Sequence, residues 1–151
     1  YMNLELVNYS KIFLELSWNW LSDPEIRVLT NTPIFTKNEQ RIWFDSLNNR
    51  KDYIIWGIQV DNTPIGACGL KKITDKDCEF WCYIGEKKFW GKGIGTKVLE
   101  ILINLAKNKN LSSIWLVVLK NNIRAIHLYE KFGFKKENES MDGLIKMKLN
   151  L

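Results

Sequence analysis

Histidine is almost missing from this sequence, and its cysteines do not pair. One histidine, His127, and three cysteines without CxxC spacing leave no ligand set for a zinc centre. Cys68, Cys78 and Cys82 are odd in number and each falls in an apolar strand pattern, so they read as buried, reduced thiols rather than a disulfide framework. No apolar run approaches the roughly 20 residues that span a bilayer, and no basic-then-apolar leader opens the chain. The expectation is a cytoplasmic protein with no metal and no membrane partner. Charge of one sign is not concentrated either. The net +5 comes from scattered lysines, apart from Lys87, Lys88 and Lys92 around a glycine cluster, which points to a small anion rather than to nucleic acid.

What is present is enough for one domain over residues 1–151, with a core that needs no staples. Residues 3–7 read as a strand and residues 10 to about 21 as a helix rich in apolar and aromatic residues. "SDPEIRVL" opens a second helix, with Asp23 as N-cap and Pro24 at the first helical position. Thr36 and Glu39 form a capping box for a third helix through about Asn48. The period then shortens. "YIIWGIQV", a turn at "DNTP" and "PIGACGLKKI" predict an antiparallel hairpin, and "CEFWCYI" a further strand. The helix after the glycines buries Ile94, Val98, Leu102 and Leu105 and runs to about Lys107. "SIWLVVL" does not alternate, as expected of a strand covered on both faces. "NIRAIHLYEKF" is helical and ends at Gly133, and two strands, "GFKKE" and "GLIKMKL", finish the chain. This is a mixed α/β pattern.

The glycine cluster "FWGKGIGTKVLEIL" lies between a strand and a helix. It lacks the spacing of a P-loop. It also fails as a dinucleotide fingerprint, because Thr96 stands at the third glycine position and the next strand ends in Leu119, Lys120 and Asn121 rather than an acid. What remains is a helix mouth whose first N–H groups are unpaired and whose dipole favours an anion, with glycines that let backbone close on a diphosphate. A plain strand–helix turn is the bland alternative.

Trp90-x-x-Gly93-x-Gly95 resembles the acyl-CoA signature of the GCN5-related N-acetyltransferases, with Trp90 in place of the usual first residue. "NNIRAIHLYEKFGF" is similar to that family's Asn-x-x-Ala…Tyr-x-x-x-Gly-Phe block, and "WLSDPEIR" to its branch acting on ribosomal-protein N-termini, polyamines and nucleotide-linked amino sugars. The resemblance implies a single-domain fold with a mixed, mostly antiparallel sheet of about seven strands, splayed between the fourth and fifth and flanked by helices. It implies acetyl-CoA as co-substrate, a small-molecule amine as partner, and direct transfer without an acetylated enzyme; a homodimer is compatible with it. The cofactor would be held by Cys82, Tyr83 and Ile84 along the fourth strand, by Trp90, Gly91, Lys92, Gly93, Ile94, Gly95 and Thr96 at the helix mouth, and by Asn122, Ala125 and Lys131 on the later helix.

Spacing adds to this. Asn122, Ala125 and Tyr129 share one helical stripe that suits a thin pantetheine arm, whereas Arg124, His127 and Lys131 share another. His127 therefore reads as a solvated surface residue. A phenol of pKa about 10 stays protonated at neutral pH and can donate to a departing thiolate, so Tyr129 is the candidate acid; packing on an amphipathic helix is the other reading. The resemblance places an oxyanion-binding backbone N–H near Tyr83 or Ile84. Relatives often carry a carboxylate where Val117 stands, and valine cannot accept a proton. Glu79, in phase with Trp81 and Tyr83, is the remaining candidate base; a water chain or a purely structural Glu79 are the alternatives. Cys82 is the cysteine to test for a covalent route.

Seven tryptophans are many for 151 residues. Trp18, Trp20 and Trp43 should mostly be core, yet an aromatic face can stack on a base or sugar ring. "CEFWCYIGEKKFWGKGIGTKVLE" resembles acetyltransferases for UDP-linked 4-amino-4,6-dideoxy sugars, which makes such a sugar the preferred acceptor. A polyamine or a protein N-terminus is the runner-up, kept open by the acidic trio Asp75, Asp77 and Glu79. A non-catalytic acyl-CoA-binding module is the third reading.

Overall fold

In the computed structural model, residues 2–151 are described and Tyr1 lies outside them. The chain runs β1 (Leu4–Asn8), α1 (Lys11–Trp20), α2 (Pro24–Thr30), α3 (Lys37–Ser46), β2 (Ile54–Val60), β3 (Thr63–Lys71), β4 (Asp77–Ile84), α4 (Ile94–Asn108), β5 (Ser113–Leu119), α5 (Ile123–Lys131), β6 (Lys135–Glu139) and β7 (Leu144–Asn150). The start signals act where the sequence puts them. Asp23 accepts from the N–H groups of Glu25 and Ile26, with Pro24 at the first position of α2, and Thr36 with Glu39 closes a reciprocal capping box on α3. Asp61 and Asn62 both take positive φ in the two-residue turn between β2 and β3, the conformation that matches strand twist.

The seven strands form one sheet in the order β1-β2-β3-β4-β5-β7-β6. Every pairing is antiparallel except β4 with β5. That parallel ladder is short: Asp77, Cys78 and Glu79 pair with Ser113, Ile114 and Trp115, and then the strands part. Beyond Glu79, β4 keeps its partner β3 as far as Ile84 but has none on the β5 side. The implied splay is therefore present.

Helix α4 buries Val98, Leu99, Leu102 and Ala106 on the same sheet face as Cys78, Phe80, Ile114 and Leu116, and α5 leans on this core with Ala125 and Tyr129. Helices α1 to α3 cover the opposite, front face of β1 to β4. Phe13 lies directly on Gly57, where an added Cβ would come within 2.3 Å of the ring. Gly57→Ala is expected to lower unfolding free energy by about 1–3 kcal/mol through overpacking, read by chemical denaturation.

One strand departs from its expected environment. "SIWLVVL" was read as covered on both faces, but of its apolar residues only Ile114, Leu116 and Val118, all on one face, are buried. Val117 is 42% exposed, because α1 to α3 stop short of β5 and leave its front open. No helix among the described residues is long and apolar enough to cross a membrane.

Candidate active site

A cavity of about 1240 Å3 enters between the splayed ends of β4 and β5. Its lining includes every sequence-predicted site residue except Lys92, which is exposed beside it. Glu79 and Tyr129, separated by fifty residues of chain, thus meet in one space.

The glycine cluster forms the mouth at one end. Gly91 and Gly93 have φ of 74° and 79°, the left-handed region that side chains disfavour. Gly93 is the N-cap of α4 and supplies no side-chain cap to its first turn. A Cβ added at Gly93 or Gly95 would meet nothing within 4 Å, so glycine here keeps space open over the N–H groups rather than relieving a clash. The first turn of α4 holds no acidic residue. Open N–H groups and a positive dipole end make an anion seat.

Spacing missed one residue of that seat. Arg124 falls on the helical stripe of His127 and Lys131, away from Tyr129, yet its Nη2 comes to 3.4 Å from a Cβ position at Gly91. Helix packing, not period, brings it to the loop. The nearby lysines behave differently. Lys87 ion-pairs with Asp23 and Glu25, both at 2.9 Å, ahead of and within α2, and its ammonium holds the Asp23 carboxyl below the usual range. It staples the loop to the front helices rather than pointing at the mouth. The Trp20 indole N–H adds a second staple by donating to Glu86 at 2.6 Å. Trp90, in the signature's first position, donates its indole N–H to the Ile84 carbonyl at 2.9 Å and so ties the loop to the end of β4.

On α5, Asn122 is the N-cap, its Oδ1 accepting from the Ala125 N–H at 3.3 Å. Its side chain serves the helix while the residue lines the cavity. The Tyr129 ring packs 5.8 Å from Phe134, and burial, with the Cys82 thiol a smaller influence, raises its phenol above the ordinary value. Burial also pushes the Cys82 thiol up to about 12. No charged group among the described residues opposes that shift, so Cys82 is a poor nucleophile at neutral pH. Cys82→Ala is expected to leave turnover within about twofold, measured by thiol release from acetyl-CoA.

The front wall is aromatic. Tyr9, Trp43, Tyr53, Trp81 and Tyr83 form a chain of ring contacts at 5.8 to 6.4 Å, all lining the cavity. Of the three N-terminal tryptophans, Trp43 alone lines it. Trp20 packs on Gly85, and Trp18 on Phe35 under Lys37. Glu79 is 7% exposed among these rings but is not surrounded by them alone. Lys71 approaches its Oε2 at 3.9 Å and Lys72 its Oε1 at 3.5 Å, and Oε1 accepts no hydrogen bond from the described residues. The acidic trio does not converge: Asp77 accepts from the Thr74 hydroxyl, and neither Asp75 nor Asp77 lines the cavity. His127 is exposed at its edge.

Comparisons with known proteins bear on the family and the fold. The uncharacterized protein MJ1062 of Methanocaldococcus jannaschii is 31% identical over 135 residues, 86% of this chain and 28% of that one. The chain spans about a third of the length of the curated relatives it first matches. The crystal structure of spermidine N-acetyltransferase from Vibrio cholerae, in complex with CoA and spermine, superposes with a TM-score of 0.87 at 18% identity, over 97% of this chain and 95% of that one. That of Campylobacter jejuni N-acetyltransferase PseH, in complex with acetyl coenzyme A, does so at 0.73 and 20%, over 99% of both. These two are likenesses of fold. The acetyltransferase (GNAT) family profile matches residues 17–134, and the chain belongs to that family.

Proposed function

We propose that the chain transfers an acetyl group from acetyl-CoA to a primary amine by direct attack, and that the amine belongs to a UDP-linked 4-amino-dideoxy sugar. The observation that carries the transfer is one cavity joining an uncapped, glycine-opened helix mouth, an unpaired strand edge and a half-buried phenol. The residues fit the co-substrate. Open space over Gly93 and Gly95 with Arg124 nearby suits a diphosphate, and the free β4 edge from Phe80 to Ile84 suits an amide-bearing arm.

Acetyl-CoA supplies an acyl group activated by a thiolate leaving group. The chain's residues do the rest. Backbone N–H near Tyr83 and Ile84 stabilises negative charge on the acyl oxygen. Tyr129 holds a proton at its hydroxyl for the thiolate. Glu79 takes the amine's proton; its buried Oε1 faces the Lys72 ammonium at 3.5 Å but accepts no hydrogen bond from the described residues. Glu79→Gln is expected to lower turnover about tenfold or more; unchanged turnover assigns the proton to water instead. The three free thiols suit a reducing, cytoplasmic setting.

Charge favours the sugar nucleotide over a polyamine. The cavity lining holds Glu39 and Glu79 against Lys71, Arg124 and Lys131, and the Glu39 carboxylate already serves the capping box. A polycation finds no acidic cluster there. Likeness of fold to a spermidine enzyme keeps the polyamine as second reading. The test is thiol release against UDP-amino sugars, spermidine and N-terminal peptides in parallel. Preference for spermidine would overturn the acceptor, and tight CoA binding without turnover on any amine would make the chain a binding module.

A further inference from the structure

A row of side chains crosses four strands on the front of the sheet. Lys71 of β3 is in register with Glu79 of β4, Glu79 with Trp115 of β5, and Trp115 with Lys148 of β7. This is the last level at which β4 and β5 pair, the root of the splay. One level further along β5, Val117 pairs with Lys146. Lys72, just past β3, has φ of 51°, a left-handed conformation that a side-chain-bearing residue disfavours. Both Lys71 and Lys72 reach Glu79, although consecutive residues of a regular strand face opposite ways. The turned backbone brings a second ammonium to one face.

Trp115 orders that charge. The Lys72 ammonium lies 5.4 Å and the Lys146 ammonium 4.5 Å from its ring centre, within reach of its π-cloud. Their carboxylate partners are few. Glu79 faces Lys71 and Lys72, while Glu137 faces Lys146 at 3.2 Å and Lys148 at 3.9 Å, so four lysines share two carboxylates. Asp77, next along the same face of β4, is occupied by Thr74. The Lys72 side chain is 65% exposed. Lys71, Glu79 and Val117 also line the cavity, so the row continues into it.

We infer that this lysine row seats the diphosphate of the acceptor, a nucleoside diphosphate carrying the amine. The inference rests on the acyl-transfer reading and extends it to residues outside the cofactor mouth. Two strand residues, roughly 7 Å, separate Trp115 from Val117, a span that one pyranose ring covers. A diphosphate on the row therefore places a ring-borne amine at the slot where β4 and β5 part. The same charge repels a polycation.

The test uses UDP as probe on the full chain saturated with CoA, so that the helix mouth is filled. CoA binding is measured first by calorimetry, and its absence overturns the functional reading whatever UDP does. With CoA bound, UDP is expected to bind the wild type, with affinity falling as salt rises. The Lys72→Glu/Lys146→Glu double variant is expected to lose at least tenfold in UDP affinity with CoA affinity unchanged, whereas Lys72→Arg/Lys146→Arg retains it. Circular dichroism confirms that the variants fold. UDP that binds only when CoA is absent, that binds the glutamate variant equally well, or that does not bind at all overturns the inference while leaving acetyl transfer standing.

Discussion

Gly93→Val abolishes acetyl-CoA binding, a loss of at least about a hundredfold by calorimetry, in a protein that still folds. Two physical terms act together. Gly93 has φ of 79°, where an L side chain costs roughly 1–2 kcal/mol and a β-branched one more. That is a fraction of the 5–15 kcal/mol that holds an ordinary domain together, so the fold survives, with its midpoint lowered. The second term is occupancy. Beyond its chain neighbours no protein atom lies within 4 Å of the added Cβ, so valine fills the space over the helix mouth. Gly95 separates the two terms. It lies in the first turn of α4, outside the positive-φ set, with the same open space at its Cβ. Gly95→Ala is expected to raise stability by up to about 1 kcal/mol, since alanine outranks glycine in a helix, and to weaken acetyl-CoA about tenfold. Stability and affinity thus move in opposite directions. A stabilised Gly95→Ala protein with full affinity would place the diphosphate elsewhere.

Local signals in the sequence carried most of the fold. The Asp23 cap, the Thr36–Glu39 box and the apolar stripe of α4 are short-range chemistry, and each element appears within a few residues of its expected place. β5 was located to the residue, yet its surroundings were misjudged: an unbroken apolar run records what a strand is made of, not which helices reach across it, and Val117 stands open. The charged groups were legible only as composition. Lys87 lies close to the glycines in sequence but is spoken for by Asp23 and Glu25, some sixty residues away, a pairing that no spacing contains. Arg124 shows the converse, placed by period on a stripe away from Tyr129 yet brought to the mouth by how α5 packs. The lysine row is likewise a product of strand register, which joins residues 71, 79, 115 and 148. The splay came from resemblance, since β4 and β5 carry no local mark of where their pairing ends.

Tyr129→Phe lowers turnover about a hundredfold and leaves acetyl-CoA affinity within twofold. The substitution removes one oxygen and keeps the ring, so the contact with Phe134 and the packing of α5 on the core persist. What is lost is the proton at the hydroxyl, and general acids contribute roughly 10²–10⁴-fold. Burial raises the phenol above its ordinary value, so Tyr129 stays protonated throughout the neutral range and its own titration falls at higher pH than that of a free tyrosine. Loss of the hydroxyl should therefore reduce the height of the pH–turnover profile across the neutral range without changing its shape there. A ring that only packs would give a phenylalanine variant with full turnover. Leaving-group chemistry separates the two roles further. Proton donation matters less as the departing thiol becomes more acidic, so the deficit of the variant should narrow on an acetyl thioester of a more acidic thiol. A general loss of alignment would slow both thioesters equally, and that result would remove Tyr129 from the proton path.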